Sequence, residues 1–137
     1  MSDGDEAYGL RILLVEDEFL ACLEVEDLLR HLGCEVVGPA ARLPDALRLA
    51  REAGLDGALV DLNLVGEPAY PVIDELAARG VPYVLVTGSD APSIAAAHRG
   101  APRIGKPFGE AAVRAALGRF RALRQDRLCA PDHGGSS

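Results

Sequence analysis

Short apolar runs alternate along this chain with longer stretches in which apolar residues recur every three or four positions, and the alternation predicts strands and helices in turn. Residues 11–15, RILLV, are continuous and apolar, as suits a strand buried on both faces. Between Glu18 and Leu32, the residues Cys22, Val25, Leu28, Leu29 and Leu32 form a helical stripe, and Gly33 stands where a left-handed residue would end the helix. EVVG (35–38) predicts a second strand. Pro44 suits a first helical turn, and Ala46, Leu47, Ala50 and Ala53 mark a second helix that stops at Gly54. GALVDL (57–62) is a third strand with Asp61 at its end. Val72, Ile73, Leu76 and Ala77 then share one face of a third helix over 69–78, closed by Gly80, and YVLVTG (83–88) is a fourth strand. A short helix over 92–98, a fifth strand RIG (103–105) and a last helix carrying Val113, Ala116, Leu117, Phe120 and Leu123 complete the pattern.

Five strands alternating with five helices predict a doubly wound α/β domain, because each parallel connection needs a crossover and a helix supplies it. A chain of 137 residues, 49% of them hydrophobic, can bury one core of ordinary size. Residues 1–9 are acidic and polar, and from about Gln125 the apolar periodicity gives way to Gly, Ser and Pro, so disordered ends (1–9 and 125–137) are expected to flank a domain over 10–124, with no second domain following. Cys22, Cys34 and Cys129 are odd in number and lack metal-type spacing, which favours a reducing compartment over a disulfide framework or a zinc site. No apolar stretch approaches a membrane span, and the first residues oppose a signal peptide, so a soluble cytoplasmic protein is expected. The formal net charge of −7 repels a phosphate backbone, and no nucleic-acid partner is expected.

In doubly wound sheets ligands bind beyond the carboxyl ends of the strands, so those ends carry the chemistry. The first strand ends at Glu16 and Asp17, the third at Asp61, the fourth at Thr87, and the fifth runs into Lys106-Pro107. All five side chains are expected to converge on one edge. Carboxylates with oxygen-only neighbours suit a hard cation, and Mg²⁺ usually takes one or two carboxylates plus phosphate oxygens. A hydroxyl and a lysine beside them suit an anion, so the set fits a metal and a phosphoryl group held side by side. Each residue has a plainer reading: acids 16–18 as a solvated loop, Thr87 as a strand former, Lys106 as a surface lysine. Together those readings require coincidence. His31, His98 and His133 have no metal-spaced partners and read as structural or solvated; Pro68 and Pro71 read as setting the start of the third helix.

The ordered set VED after the first strand, VDLN after the third, VTG after the fourth and GKPF after the fifth resembles the receiver domain of two-component response regulators, over roughly residues 10–124. The segment VPYVLVTG also resembles that of stand-alone alphaproteobacterial receivers, with Tyr83, Leu85 and Val86 departing from their motif. The resemblance implies a flavodoxin-like five-stranded parallel sheet of order 2-1-3-4-5. It implies that Asp61 is the phospho-acceptor, that Asp17 and Asp61 ligate Mg²⁺ directly with Glu16 acting mainly through water, and that the backbone carbonyl of Asn63 adds a ligand. Thr87 and Lys106 would bind phosphoryl oxygens, and the Lys106-Pro107 peptide would be cis. The implied donor is a sensor histidine kinase or a histidine phosphotransfer protein, with output through a protein partner or as a phosphate sink, and a homodimer is left open. Helix one, or the face of helix four, strand five and helix five, would be the contact surface. Arg103 stands where ordinary receivers carry an aromatic three residues before the lysine, so their usual threonine-to-aromatic route does not carry over.

Two other readings compete. A degenerate receiver would be a phosphorylation-independent binding module, against which stand the intact Glu16, Asp17, Asp61, Thr87 and Lys106. A Mg²⁺-dependent phosphohydrolase with an aspartyl nucleophile would carry D-x-D on its first strand and a cap insertion; here D-x-N is on the third strand and no insertion is long enough. The leading expectation is therefore a signalling domain that is not an enzyme beyond assisting its own phosphorylation and dephosphorylation.

Overall fold

The computed structural model describes residues 9–52, 54–61, 63–64, 67–87, 103–105 and 109–129. Its main sheet has five parallel strands, β1 (Arg11–Val15), β2 (Glu35–Ala40), β3 (Gly57–Asp61), β6 (Tyr83–Thr87) and β7 (Arg103–Gly105), in the order β2-β1-β3-β6-β7. A two-stranded antiparallel ladder of β4 (Asn63–Leu64) and β5 (Glu67–Pro68) follows β3. Setting that ladder aside, the sheet has the 2-1-3-4-5 order of a flavodoxin-like fold, as expected. The described helices are α1 (Phe19–His31), α2 (Leu43–Ala50), α3 (Tyr70–Ala78) and α4 (Glu110–Cys129). The helix expected over 92–98 lies outside the described residues.

Strand alternation divides the apolar side chains between two cores. Leu13, Val15, Ala58, Val60 and Leu85 pack with Ala46 and Ala50 of α2 and Val72, Ile73 and Leu76 of α3. Ile12, Leu14, Leu59, Val84 and Val86 pack on the other face with Val25 and Leu29 of α1 and Val113, Leu117 and Phe120 of α4. The sheet is therefore doubly wound, and its central strands are apolar in both registers because both faces are covered. Ala77, placed on the α3 stripe by spacing, is exposed; it sits one step round from Ile73 and Leu76, at the edge of the buried arc.

Local chemistry sets the element ends. After α1, Gly33 has φ +87°, its N–H bonds the Arg30 carbonyl at 3.0 Å, and the Cys34 N–H bonds the Leu29 carbonyl at 2.9 Å, a Schellman closure. Helix α3 closes in the same way through Gly80 and Val81. Helix α4 continues to Cys129, past Gln125, where a disordered tail had been expected to begin. Gln125, Arg127 and Leu128 are good helix formers with no glycine or proline among them, and loss of the apolar stripe does not by itself end a backbone helix.

Strand β2 runs two residues beyond the EVVG expected of it. As an edge strand it tolerates Pro39, which needs no ladder partner for a missing N–H. Leu13 pairs with Val37 but Val15 with Ala40, so Gly38 and Pro39 together face Leu14 as a bulge. Gly38 has φ +100°, and a Cβ there would meet the Ala40 nitrogen at 2.9 Å and the Leu14 carbonyl oxygen at 3.0 Å. The bulge delivers the Ala40 carbonyl to the end of β1.

Candidate active site

At that point the chain turns from apolar to acidic. The Glu16 N–H donates to the Ala40 carbonyl at 3.0 Å, so β2 holds the first residue beyond β1. Strands β1 and β3 run in register with Val15 beside Val60, which carries Glu16 alongside Asp61 one residue further on. Glu16 and Asp61 are 3% and 5% exposed, the two buried charged side chains among the described residues. Asp17 is half-buried. Carboxylate oxygens of Glu16, Asp17 and Asp61 all lie within 4.8 Å of one another. The first and third strand ends thus bring together the three acids that the sequence singles out.

The acids are held by backbone and by α1. The Glu18 N–H donates to Glu16 Oε2 at 3.2 Å, and the Cys22 thiol donates to the Glu16 carbonyl oxygen at 3.3 Å. Cys22 reads from spacing as a stripe residue only; a thiol reaching back to a loop carbonyl leaves no trace in periodicity. Three carboxylates this close repel one another, and an oxygen-only set suits a hard divalent cation. The donor chemistry and the spacing fit such an ion.

The remaining expected members are placed through the backbone. Thr87 is the last residue of β6 and pairs with Gly105, the last of β7. Lys106 and the Lys106-Pro107 peptide lie outside the described residues; a cis peptide is found at Gly38–Pro39. Asn63 begins β4, paired with Pro68. The β4–β5 ladder was not expected, since Asn63 and Gly66 read as simple turn residues and two-residue strands are too short to show a period.

A second feature adjoins the acids. Phe19, Leu20 and Leu23, in the first turns of α1, are 71%, 66% and 46% exposed, the large apolar side chains most open to solvent among the described residues. They point away from the stripe of Cys22, Val25 and Leu29, so no core burial accounts for them. Among the described residues no helix is long and apolar enough to cross a membrane.

A doubly wound sheet of this order, with acids gathered at the ends of its first and third strands, has the architecture of signal-receiver domains. Comparison with known proteins agrees. SdrG from Sphingomonas melonis Fr1 is 37% identical, with TM-score 0.73 over 82% of this chain and 97% of that one. The receiver domain of a sensor histidine kinase from Pseudomonas aeruginosa PAO1 is 29% identical, with TM-score 0.73 over 83% of this chain and 98% of that one, and it has a magnesium ion coordinated in its active-site cleft. The transcriptional regulatory protein PdtaR of Mycobacterium tuberculosis is 28% identical over 130 residues, 89% of this chain; the chain spans 63% of that relative's length. No family model matches. The chain belongs to the response regulator receiver family.

Proposed function

We propose that the chain, over residues 10–124, accepts a phosphoryl group on Asp61 from a phosphohistidine of a sensor histidine kinase or a histidine phosphotransfer protein. The observation that carries this is the convergence of buried Asp61 with Glu16 and Asp17 at the carboxyl edge of the sheet. Attack by an Asp61 carboxylate oxygen forms the new P–O bond as the P–N bond of the phosphohistidine breaks, and the imidazole leaves with the bonding pair and takes up a proton. Burial and the fixed strand end keep the Asp61 carboxylate in one orientation, so little reorganisation is needed for an in-line approach. Asp17 and Asp61, with the Asn63 carbonyl, would hold Mg²⁺ directly and Glu16 would act mainly through water. When bound, the ion supplies positive charge beside the phosphoryl oxygens. Thr87 and Lys106 are the candidates for binding those oxygens, and the Thr87–Gly105 pairing puts Lys106 next in chain to a residue beside Thr87.

Exposed Phe19, Leu20 and Leu23 next to the acids support α1 as the surface that meets the phosphodonor protein. Output through contact with a further protein, or service as a phosphate sink, follows from the same chemistry. Cys22 and Cys34, buried and not joined in a disulfide, fit a reducing compartment, and we place the protein in the cytoplasm. Intact-mass spectrometry after incubation with acetyl phosphate tests the reading: one phosphoryl group added to wild type when Mg²⁺ is present, and none to Asp61→Asn.

A further inference from the structure

We propose that Cys22 is a positioning residue for this site: its thiol locks the peptide that joins Glu16 to Asp17, and metal affinity depends on that bond. The inference rests on the metal-binding reading of Glu16, Asp17 and Asp61. The Cys22 thiol lies 3.3 Å from the Glu16 carbonyl oxygen, and the residue is 8% exposed. Its own N–H bonds the Glu18 carbonyl at 2.9 Å, so the first turn of α1 fixes the donor. Glu16 is also held through its N–H by Ala40 and through Oε2 by the Glu18 N–H.

These anchors act on different parts of the turn. Ala40 fixes where Glu16 enters the turn, and the Glu18 N–H orients its carboxylate. The thiol contact bears on the carbonyl, and that carbonyl belongs to the peptide plane leading into Asp17. Releasing it lets the plane rotate about its flanking bonds, and rotation swings the Asp17 carboxylate relative to Asp61. A three-acid cluster confined within 4.8 Å is sensitive to such a swing. A buried position on α1 beside an acidic turn must be apolar and still supply a donor; cysteine, a small hydrophobe with a weak S–H donor, meets both demands.

Partners that orient metal ligands typically change affinity by about 10- to 100-fold when removed. The weak thiol donor places the expected effect below that range, at about 3- to 10-fold. The experiment measures Mn²⁺ dissociation constants by EPR on the full chain, well below the melting temperature, for wild type, Cys22→Ser, Cys22→Ala, Cys22→Val and Asp17→Asn. Cys22→Ala and Cys22→Val are expected to weaken binding about 3- to 10-fold, while Cys22→Ser, which keeps a donor, stays within about twofold of wild type. Asp17→Asn marks the loss of a direct ligand. Wild-type affinity in Cys22→Val, or equal weakening in the Ser and Val variants, overturns the positioning role while leaving the metal reading intact. Absence of Mn²⁺ binding in wild type overturns the metal reading and this inference with it.

Discussion

Glu16 and Asp61, from neighbouring strands, bring their carboxylate oxygens within 4.8 Å of each other although both side chains are nearly closed to solvent. Two like charges at that separation repel by about 3–4 kcal/mol at an effective dielectric of 20. A cation between them relieves the repulsion in the folded state alone. Mg²⁺ should therefore stabilise the fold: at a hundredfold excess over its dissociation constant the gain is about 2.7 kcal/mol, a rise in Tm on the order of 10 °C for a chain of this size. Thermal melts with and without Mg²⁺, and with Asp17→Asn, check this; the rise should shrink in the variant.

The same site should be approached over α1. Replacing Phe19 by Ser removes exposed apolar surface without opening the core, since Phe19 is 71% exposed. Transfer from a phosphorylated histidine kinase should fall by roughly tenfold, the effect of losing one interface anchor worth about 1.4 kcal/mol. Labelling by acetyl phosphate, which needs no docking surface, should stay at the wild-type rate. Equal loss in both assays would place Phe19 in the chemistry or the fold instead.

Much of this was legible in the chain. Residues 11–15 and 57–61 read as buried strands because they are apolar in both registers, and Gly33 and Gly80 marked helix ends because their positions demand a left-handed residue. The three acids at the strand ends followed from those two strands. The Gly38-Pro39 bulge was not legible, since a proline ordinarily ends a strand and only the edge position of β2 permits it. Nor was the Cys22–Glu16 contact, which depends on side-chain direction rather than on spacing. The reach of α4 was missed because apolar periodicity reports packing against the sheet and not the backbone state of an overhanging helix.

Packing of α4 onto the sheet depends on one missing side chain. A Cβ on Gly57 would fall among the ring atoms Cγ, Cδ2 and Cε2 of Phe120, which is fully buried. Gly57→Ala should destabilise the fold by about 1–3 kcal/mol through overpacking. Urea unfolding measures the loss, and Gly57→Ala combined with Phe120→Leu should recover part of it. A stability unchanged in Gly57→Ala would mean that α4 does not press on β3 there.

Cys34 carries a pH signature. Burial pushes its thiol above the ordinary value and the nearby Asp56 charge adds to this, while a backbone hydrogen bond involving Leu10 opposes it. A folded pKa raised above the unfolded one means a stability contribution fully present below the unfolded value and lost as pH rises through the folded one. Wild type should therefore lose stability on the alkaline side of about pH 8.5, the ordinary thiol value, and Cys34→Ala should lose less over the same range. Urea melts from neutral to alkaline pH test this. Parallel pH curves for the two proteins would contradict it.

The central claim is that Asp61 itself carries the phosphoryl group, and the most direct measurement is to trap and map it. After incubation with acetyl phosphate and Mg²⁺, borohydride reduces an aspartyl phosphate to homoserine, which peptide mass spectrometry locates along the chain. The account predicts homoserine at position 61 in wild type and no homoserine anywhere in Asp61→Asn. Homoserine at another aspartate, or a phosphoryl adduct that persists in Asp61→Asn, would contradict it.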